Sequence, residues 1–237
     1  MTDSGLNLRP DSVLTERSWD LFRSHAARVQ SLTYDDVKLN DGISGGLIIR
    51  TLVVHPWGIL PNLRAVHWHI CESELSHPLA FCPPSLERMV LHLGGDDSLT
   101  ESARRLLYSL SSSLPNRIKY FEFGTSSSST QDADLATALT AFLTSQSGLQ
   151  ELRLADYEIR DPVVVATVCQ ALTHLHTVSA NVHNVTKEVF RVILGELAGR
   201  GGSLRCVWLG LTSPNVSPNL WPETIRLADI EPILQLT

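Results

Sequence analysis

A chain of 237 residues with 43% hydrophobic and 19% charged residues holds enough apolar material for a packed core and lies outside the composition of disordered segments. Its formal net charge of -6 leaves no basic excess to meet a phosphate backbone, so nucleic acid is not an expected partner. The first twenty residues lack a basic run followed by an apolar one, and GGLIIRTLVV, the most apolar window, is short and carries Arg50; neither a secretory leader nor a membrane span is expected, and the expected location is cytoplasm or nucleus.

Along the chain, Trp19, Phe22 and Ala26 in WDLFRSHAARVQSL are three and four apart and predict one face of a helix leaning on a first strand. From there a unit recurs with apolar residues at its positions 1, 4 and 6. The seven copies are Val29-Leu32-Tyr34, Leu63-Val66-Trp68, Leu86-Met89-Leu91, Ile118-Phe121-Phe123, Leu149-Leu152-Leu154, Leu175-Val178-Ala180 and Leu204-Val207-Leu209. Successive first positions lie 23 to 34 residues apart. The last two apolar positions of each copy are two apart, the period of a strand with one face buried.

Between copies the spacing becomes helical. SLTESARRLLYSLSSSL opens on Ser/Thr with Glu101 close behind and sets Ala103, Leu106, Leu107 and Leu110 on one face. DADLATALTAFLTSQSG does the same with Leu135, Leu139, Phe142 and Leu143, and VTKEVFRVILGELAGRGG ends in a glycine cluster. RDPVVVATVCQALTHL holds Pro162 in its first turn, where the missing N–H is harmless. The connection from Leu63 to Leu86 is the exception, with Pro78, Pro83 and Pro84 predicting an extended or 3₁₀ crossover. Parallel strands joined by such crossovers predict an α/β fold, a right-handed solenoid or horseshoe with a concave parallel sheet and a mostly helical convex side. The predicted organisation is an N-terminal tail and capping helix over 1–28 and about seven repeats over 29–237, the last incomplete.

The LxxLxL unit resembles the leucine-rich repeat. It departs from that pattern at position 9, where an Asn or Cys is usual: Cys71 fits, but Val37, Gly94, Ser126, Tyr157, His183 and Thr212 do not. An irregular array without a continuous asparagine ladder is expected. WDLFRSHAARVQSL, LPNLRAVHW, FCPPSLERMVL, LTHLHTVSA and TIRLADIEPILQL, in that order, also resemble the F-box/leucine-rich-repeat proteins of mushroom-forming fungi. That resemblance implies a substrate-recognition region of an adaptor for cullin ubiquitin ligases. The F-box itself is not recognised here, so a Skp-type adaptor is not an expected partner of this chain, and the C-terminal segment reads as the start of a further unit.

Positions 3, 5 and 7 of each unit are expected to point away from the core. They supply the candidate partner-binding residues Asp35, His67, His69, Arg88, His92, Tyr120, Glu122, Glu151, Arg153 and Trp208, facing an unknown protein on the concave sheet. Glu122 beside Arg153 predicts a surface ion pair, while Arg88, Tyr120 and Trp208 are residue types that anchor interfaces. Asp35, His67, His69 and His92 are the one group whose residue types suit a metal, with a metal-dependent enzyme as the alternative reading and a general scaffold without a ligase role as another. No metal or cofactor is expected, no GxSxG or HExxH motif is present, and GRGG at Gly199–Gly202 reads as a helix end. The cysteines Cys71, Cys82, Cys169 and Cys206 form no CxxC pair and read as core thiols in a reducing compartment.

Overall fold

The computed structural model describes residues 16–35, 60–70, 82–94, 98–114, 116–125, 133–155, 171–183, 195 and 206–212. These contain seven strands: β1 (Ser31–Asp35), β2 (Ala65–Ile70), β3 (Arg88–Leu93), β4 (Tyr120–Thr125), β5 (Glu151–Ala155), β6 (Thr177–His183) and β7 (Cys206–Thr212). Three helices accompany them: α1 (Glu16–Ala26), α2 (Ser98–Ser113) and α3 (Ala133–Thr144). The strands form one sheet in sequential order, every neighbouring pair parallel. The result is an α/β, leucine-rich-repeat-like solenoid.

Its register follows the repeat. Leu32, Val66, Met89, Phe121, Leu152, Val178 and Val207 are successive partners across the sheet, so position 4 of each copy meets position 4 of the next. One backbone device recurs at five junctions. The carbonyl at position 2 of a unit accepts the N–H groups of both position 2 and position 3 of the unit that follows: Gln30 from Arg64 and Ala65, Arg64 from Glu87 and Arg88, Glu87 from Lys119 and Tyr120, Lys119 from Gln150 and Glu151, Gln150 from His176 and Thr177. Into several strands the chain enters through a turn in which the position 1 N–H reaches a carbonyl three residues earlier, as Leu63 to Leu60, Leu86 to Pro83 and Leu149 to Gln146, whereas the Ile118 N–H ahead of β4 donates to the Gln146 side chain.

Positions 1, 4 and 6 fill the core. Leu63, Val66, Trp68, Leu86, Met89, Leu91, Ile118, Phe121, Phe123, Leu149, Leu152 and Leu154 are all buried. The α2 face predicted from spacing, Ala103, Leu106, Leu107 and Leu110, packs into the same cluster, as do Leu135, Leu139, Phe142 and Leu143 of α3. The ring of Phe142 lies 4.7 Å from that of Phe121, so α3 covers the core face of β4. Arg104 of α2 reaches across to Asp134 of α3 at 2.7 Å. Both groups are solvent-accessible, so that link contributes at most about 1 kcal/mol. At the N-terminal end Phe22 and Ala26 pack on the core from α1. The side chain of Trp19 lies outside the described residues, as do the crossover after β2, most of the segments around Pro162 and Phe190 for which the spacing predicts helices, and the C-terminal segment.

Polar side chains stitch consecutive units ahead of the strands, upstream of the position 9 side of the turn. Asn62 Nδ2 donates to the Ala27 carbonyl at 2.7 Å, and Ser85 Oγ donates to the Pro61 and Leu63 carbonyls, both at 2.9 Å. Asn116, in the left-handed region at φ 57°, accepts from the N–H and hydroxyl of Ser147. A short side chain that bonds locally tolerates that backbone conformation. Gln146 is the most buried of these linkers. Its Oε1 accepts the Arg117 and Ile118 N–H groups at 3.1 Å, and its Nε2 donates to the Leu114 carbonyl at 2.7 Å. It thereby satisfies the chain leaving α2 and entering β4 from the far side of α3.

Cys82 packs against the core, and burial pushes its thiol up to about 12, which keeps it protonated and unreactive. The other three cysteines lie outside the residues whose side chains are described.

Two substitutions test this architecture in urea unfolding. Leu152→Ala should lose about 2–5 kcal/mol through lost burial and the cavity left behind. Gln146→Ala strands two N–H groups and a carbonyl and should lose at least about 2 kcal/mol, against less than about 0.5 for Gln150→Ala on the surface. Equal midpoints for the two glutamine variants would refute the stitching role.

Candidate functional site

Side chains of alternate strand residues leave opposite faces of a sheet, so the register that buries positions 1, 4 and 6 lines up positions 3, 5 and 7 on the other face. Position 3 runs Ser31, Ala65, Arg88, Tyr120, Glu151, Thr177, Cys206; position 5 runs Thr33, His67, Val90, Glu122, Arg153, Ser179, Trp208. At position 7, Asp35 pairs with His69, His69 with His92, and His92 with Gly124. Asp35 and Trp208 hold these places by backbone register, and their side chains are not among those described.

The centre of this face is a connected network. The Arg88 guanidinium lies 3.5 Å over the centre of the Tyr120 ring, and Arg153 approaches the same ring from the other neighbouring strand at 5.5 Å. Cation–π attraction to the ring face favours both placements. Tyr120 donates its hydroxyl hydrogen to Glu122 Oε2, two residues along the strand on the same side. Glu122 Oε1 lies 3.1 Å from His92 Nε2. His92 in turn presents its ring to His67 and His69, with centroids 5.5 and 6.5 Å away and nearly perpendicular planes.

Two expectations are corrected here. Glu122 and Arg153 do not form the predicted ion pair: Arg153 bonds Glu151 through Nε at 2.9 Å and a terminal nitrogen at 2.8 Å, while Glu122 is taken by Tyr120 and His92. A same-strand partner two residues away shares the face without bridging a strand gap, which the cross-strand prediction overlooked. Tyr120 is not a free surface anchor, because only 6% of it is exposed; Val90, between His67 and Glu122 in register, is buried at 7% although it too lies on this face. The three histidines touch edge to ring, and among the described residues no group of three or more His, Cys, Asp or Glu side chains has the geometry to hold a metal ion.

The electrostatics follow from these contacts. Burial raises the Tyr120 hydroxyl to about 12, reinforced by its hydrogen bond to Glu122 and that carboxylate's charge. Burial also works against the Glu122 carboxylate, yet the hydrogen bonds from Tyr120 and His92 and the charges of His92 and Arg153 outweigh it and hold its pKa below 4.5. Burial and the nearby His92 lower the His67 imidazole below 6.5, with Glu122 opposing and His69 and Arg88 adding to the shift. The Glu151 hydrogen bond raises Arg153, keeping it charged throughout.

No known family model matches the chain, and no curated protein does. Among solved structures, the leucine-rich-repeat-containing protein LegL7 from Legionella pneumophila is 15% identical, over 89% of this chain and 72% of its own length, with a TM-score of 0.39. An internalin, inlF, from Listeria monocytogenes is 12% identical over 77% of this chain and 61% of its own, with a TM-score of 0.26. At these values no residue of either neighbour is carried over. Among the described residues no helix is long and apolar enough to cross a membrane.

A folded-state pKa below the unfolded one means that the unfolded chain binds the proton more readily. For His67, stability therefore falls as pH drops from above 6.5 toward the lowered value. Glu122 adds stability that is whole above 4.5 and lost as pH falls through its own depressed value. The melting temperature should be lower at about pH 5.5 than at about pH 7.5, and His67→Gln should flatten that dependence. A wild-type melting temperature unchanged across this interval would contradict the assignment.

Proposed function

We propose that the chain is a non-enzymatic protein-interaction module whose recognition surface is the outward face of the sheet. The observation that carries this reading is the network running from Arg88 through Tyr120 and Glu122 to His92. It lies on the face opposite the helices and core, and its side chains are held in place by one another on a sheet backbone. Preorganised Arg and Tyr side chains with polar neighbours are what interface anchors require, because little side-chain freedom is left to lose on binding.

In this reading the array, 29–237, is a right-handed horseshoe whose concave side is that face, and 1–28 is its tail and cap. The F-box/leucine-rich-repeat resemblance refines it further, giving the face the part of substrate capture for a cullin ubiquitin ligase in the cytoplasm or nucleus. A Skp-type adaptor is then not a partner of this chain by itself.

The test is an affinity pull-down read by mass spectrometry with three baits: wild type, Arg88→Ala/Arg153→Ala, and Arg105→Ala on the outside of α2. Proteins held by wild type and by Arg105→Ala should be lost from the double variant, with thermal unfolding of all three baits agreeing within a few degrees, as expected of exposed sites. A double variant that retains every partner would mean that recognition lies elsewhere.

A further inference from the structure

Charge is divided unequally across the outward face. The acids of β4 and β5 are engaged, Glu122 by Tyr120 and His92, and Glu151 by Arg153. The described side chains of β2 and β3 on this face are Ala65, His67, His69, Arg88, Val90 and His92, with no acid among them. Asp35 stands beside His69 in register at the β1 margin. Arg88 is exposed and makes no ion pair among the described residues. Its guanidinium carbon lies 3.5 Å from the centre of the Tyr120 ring, a separation close to that of stacked planes, and stacking leaves the N–H donors at the edge of the fork available to a second partner.

We infer that the β2–β3 side of this face binds an acidic segment of a partner protein, with Arg88 taking a side-chain carboxylate beside the imidazoles of His67, His69 and His92. The inference rests on the outward face being a recognition surface and specifies the chemistry of its partner. A planar fork already held in position pairs with a carboxylate through two parallel hydrogen bonds, where an ammonium offers only a point charge. Protonation of His67 is opposed by burial, His92, His69 and Arg88 and favoured by Glu122. A docked carboxylate would add to the favourable side, so binding and protonation reinforce each other.

The experiment is fluorescence anisotropy of a labelled peptide of alternating Glu and Gly on the full chain, with a Lys/Gly peptide and a single-stranded oligonucleotide of equal length alongside. The Glu peptide should bind wild type. Affinity should fall about tenfold or more in Arg88→Ala, with a smaller loss in Arg88→Lys, and should rise severalfold between about pH 7.5 and about pH 6. Thermal unfolding of both variants checks that the fold is intact. No binding at about 1 mM peptide, equal affinity for Arg88→Ala, or tighter Arg88-dependent binding of the oligonucleotide would each overturn the inference. If one of these outcomes appears while Arg88→Ala/Arg153→Ala still loses its pull-down partners, the face is a recognition surface of different chemistry. If the partners persist as well, the recognition surface itself is misplaced.

Discussion

The structure depends on a parallel register maintained from unit to unit across long connections. Parallel strands have no tight turn to hold them in phase, so each must be aligned by its neighbour. Here the alignment comes from one carbonyl per unit that accepts two N–H groups of the next, repeated from Gln30 to Gln150. Because side chains alternate with a period of two, a slip of one residue would turn Val66 and Trp68 out to water and His67 and His69 into the core. The same register thus dictates both what is buried and what is displayed.

That shared dependence shapes the outward face. Tyr120 sits on a surface without helices, and its ring is covered by cations from both flanking strands. Its hydroxyl then holds Glu122, and Glu122 meets His92, so the register of four strands is converted into one polar cluster reaching from β2 to β5. The charges balance locally on β4 and β5 and remain basic on β2 and β3. The chain as a whole carries a net charge of -6, so the location of its cations matters more than their number.

Much of this was legible along the chain. The LxxLxL anchors have a distinct period, and core positions such as Leu63, Met89 and Phe123 follow from it; the apolar faces of α2 and α3 follow from helical spacing in the same way. The residue three places before an anchor is harder to see. Ala26, Leu60, Gln146 and Leu172 are all buried there, but their chemistry varies, and a glutamine in that series looks like a surface residue until its three hydrogen bonds to backbone are seen. The pairing of Arg153 is not legible in the sequence, because a row of neighbours in register does not say which neighbour a long side chain will choose.

The sequence by itself determined which residues form strands, which helical faces are apolar, and which side chains share a row, because these are periodic properties of the chain and need no knowledge of partners. Only the tertiary structure decided how the displayed side chains engage one another: that Arg153 takes Glu151, that Arg88 lies on Tyr120, and that Glu122 joins His92. Those choices depend on distances of a few ångströms between residues that compete for one another from the same strand and from strands about thirty residues away, where side-chain reach, burial and competing partners are settled together.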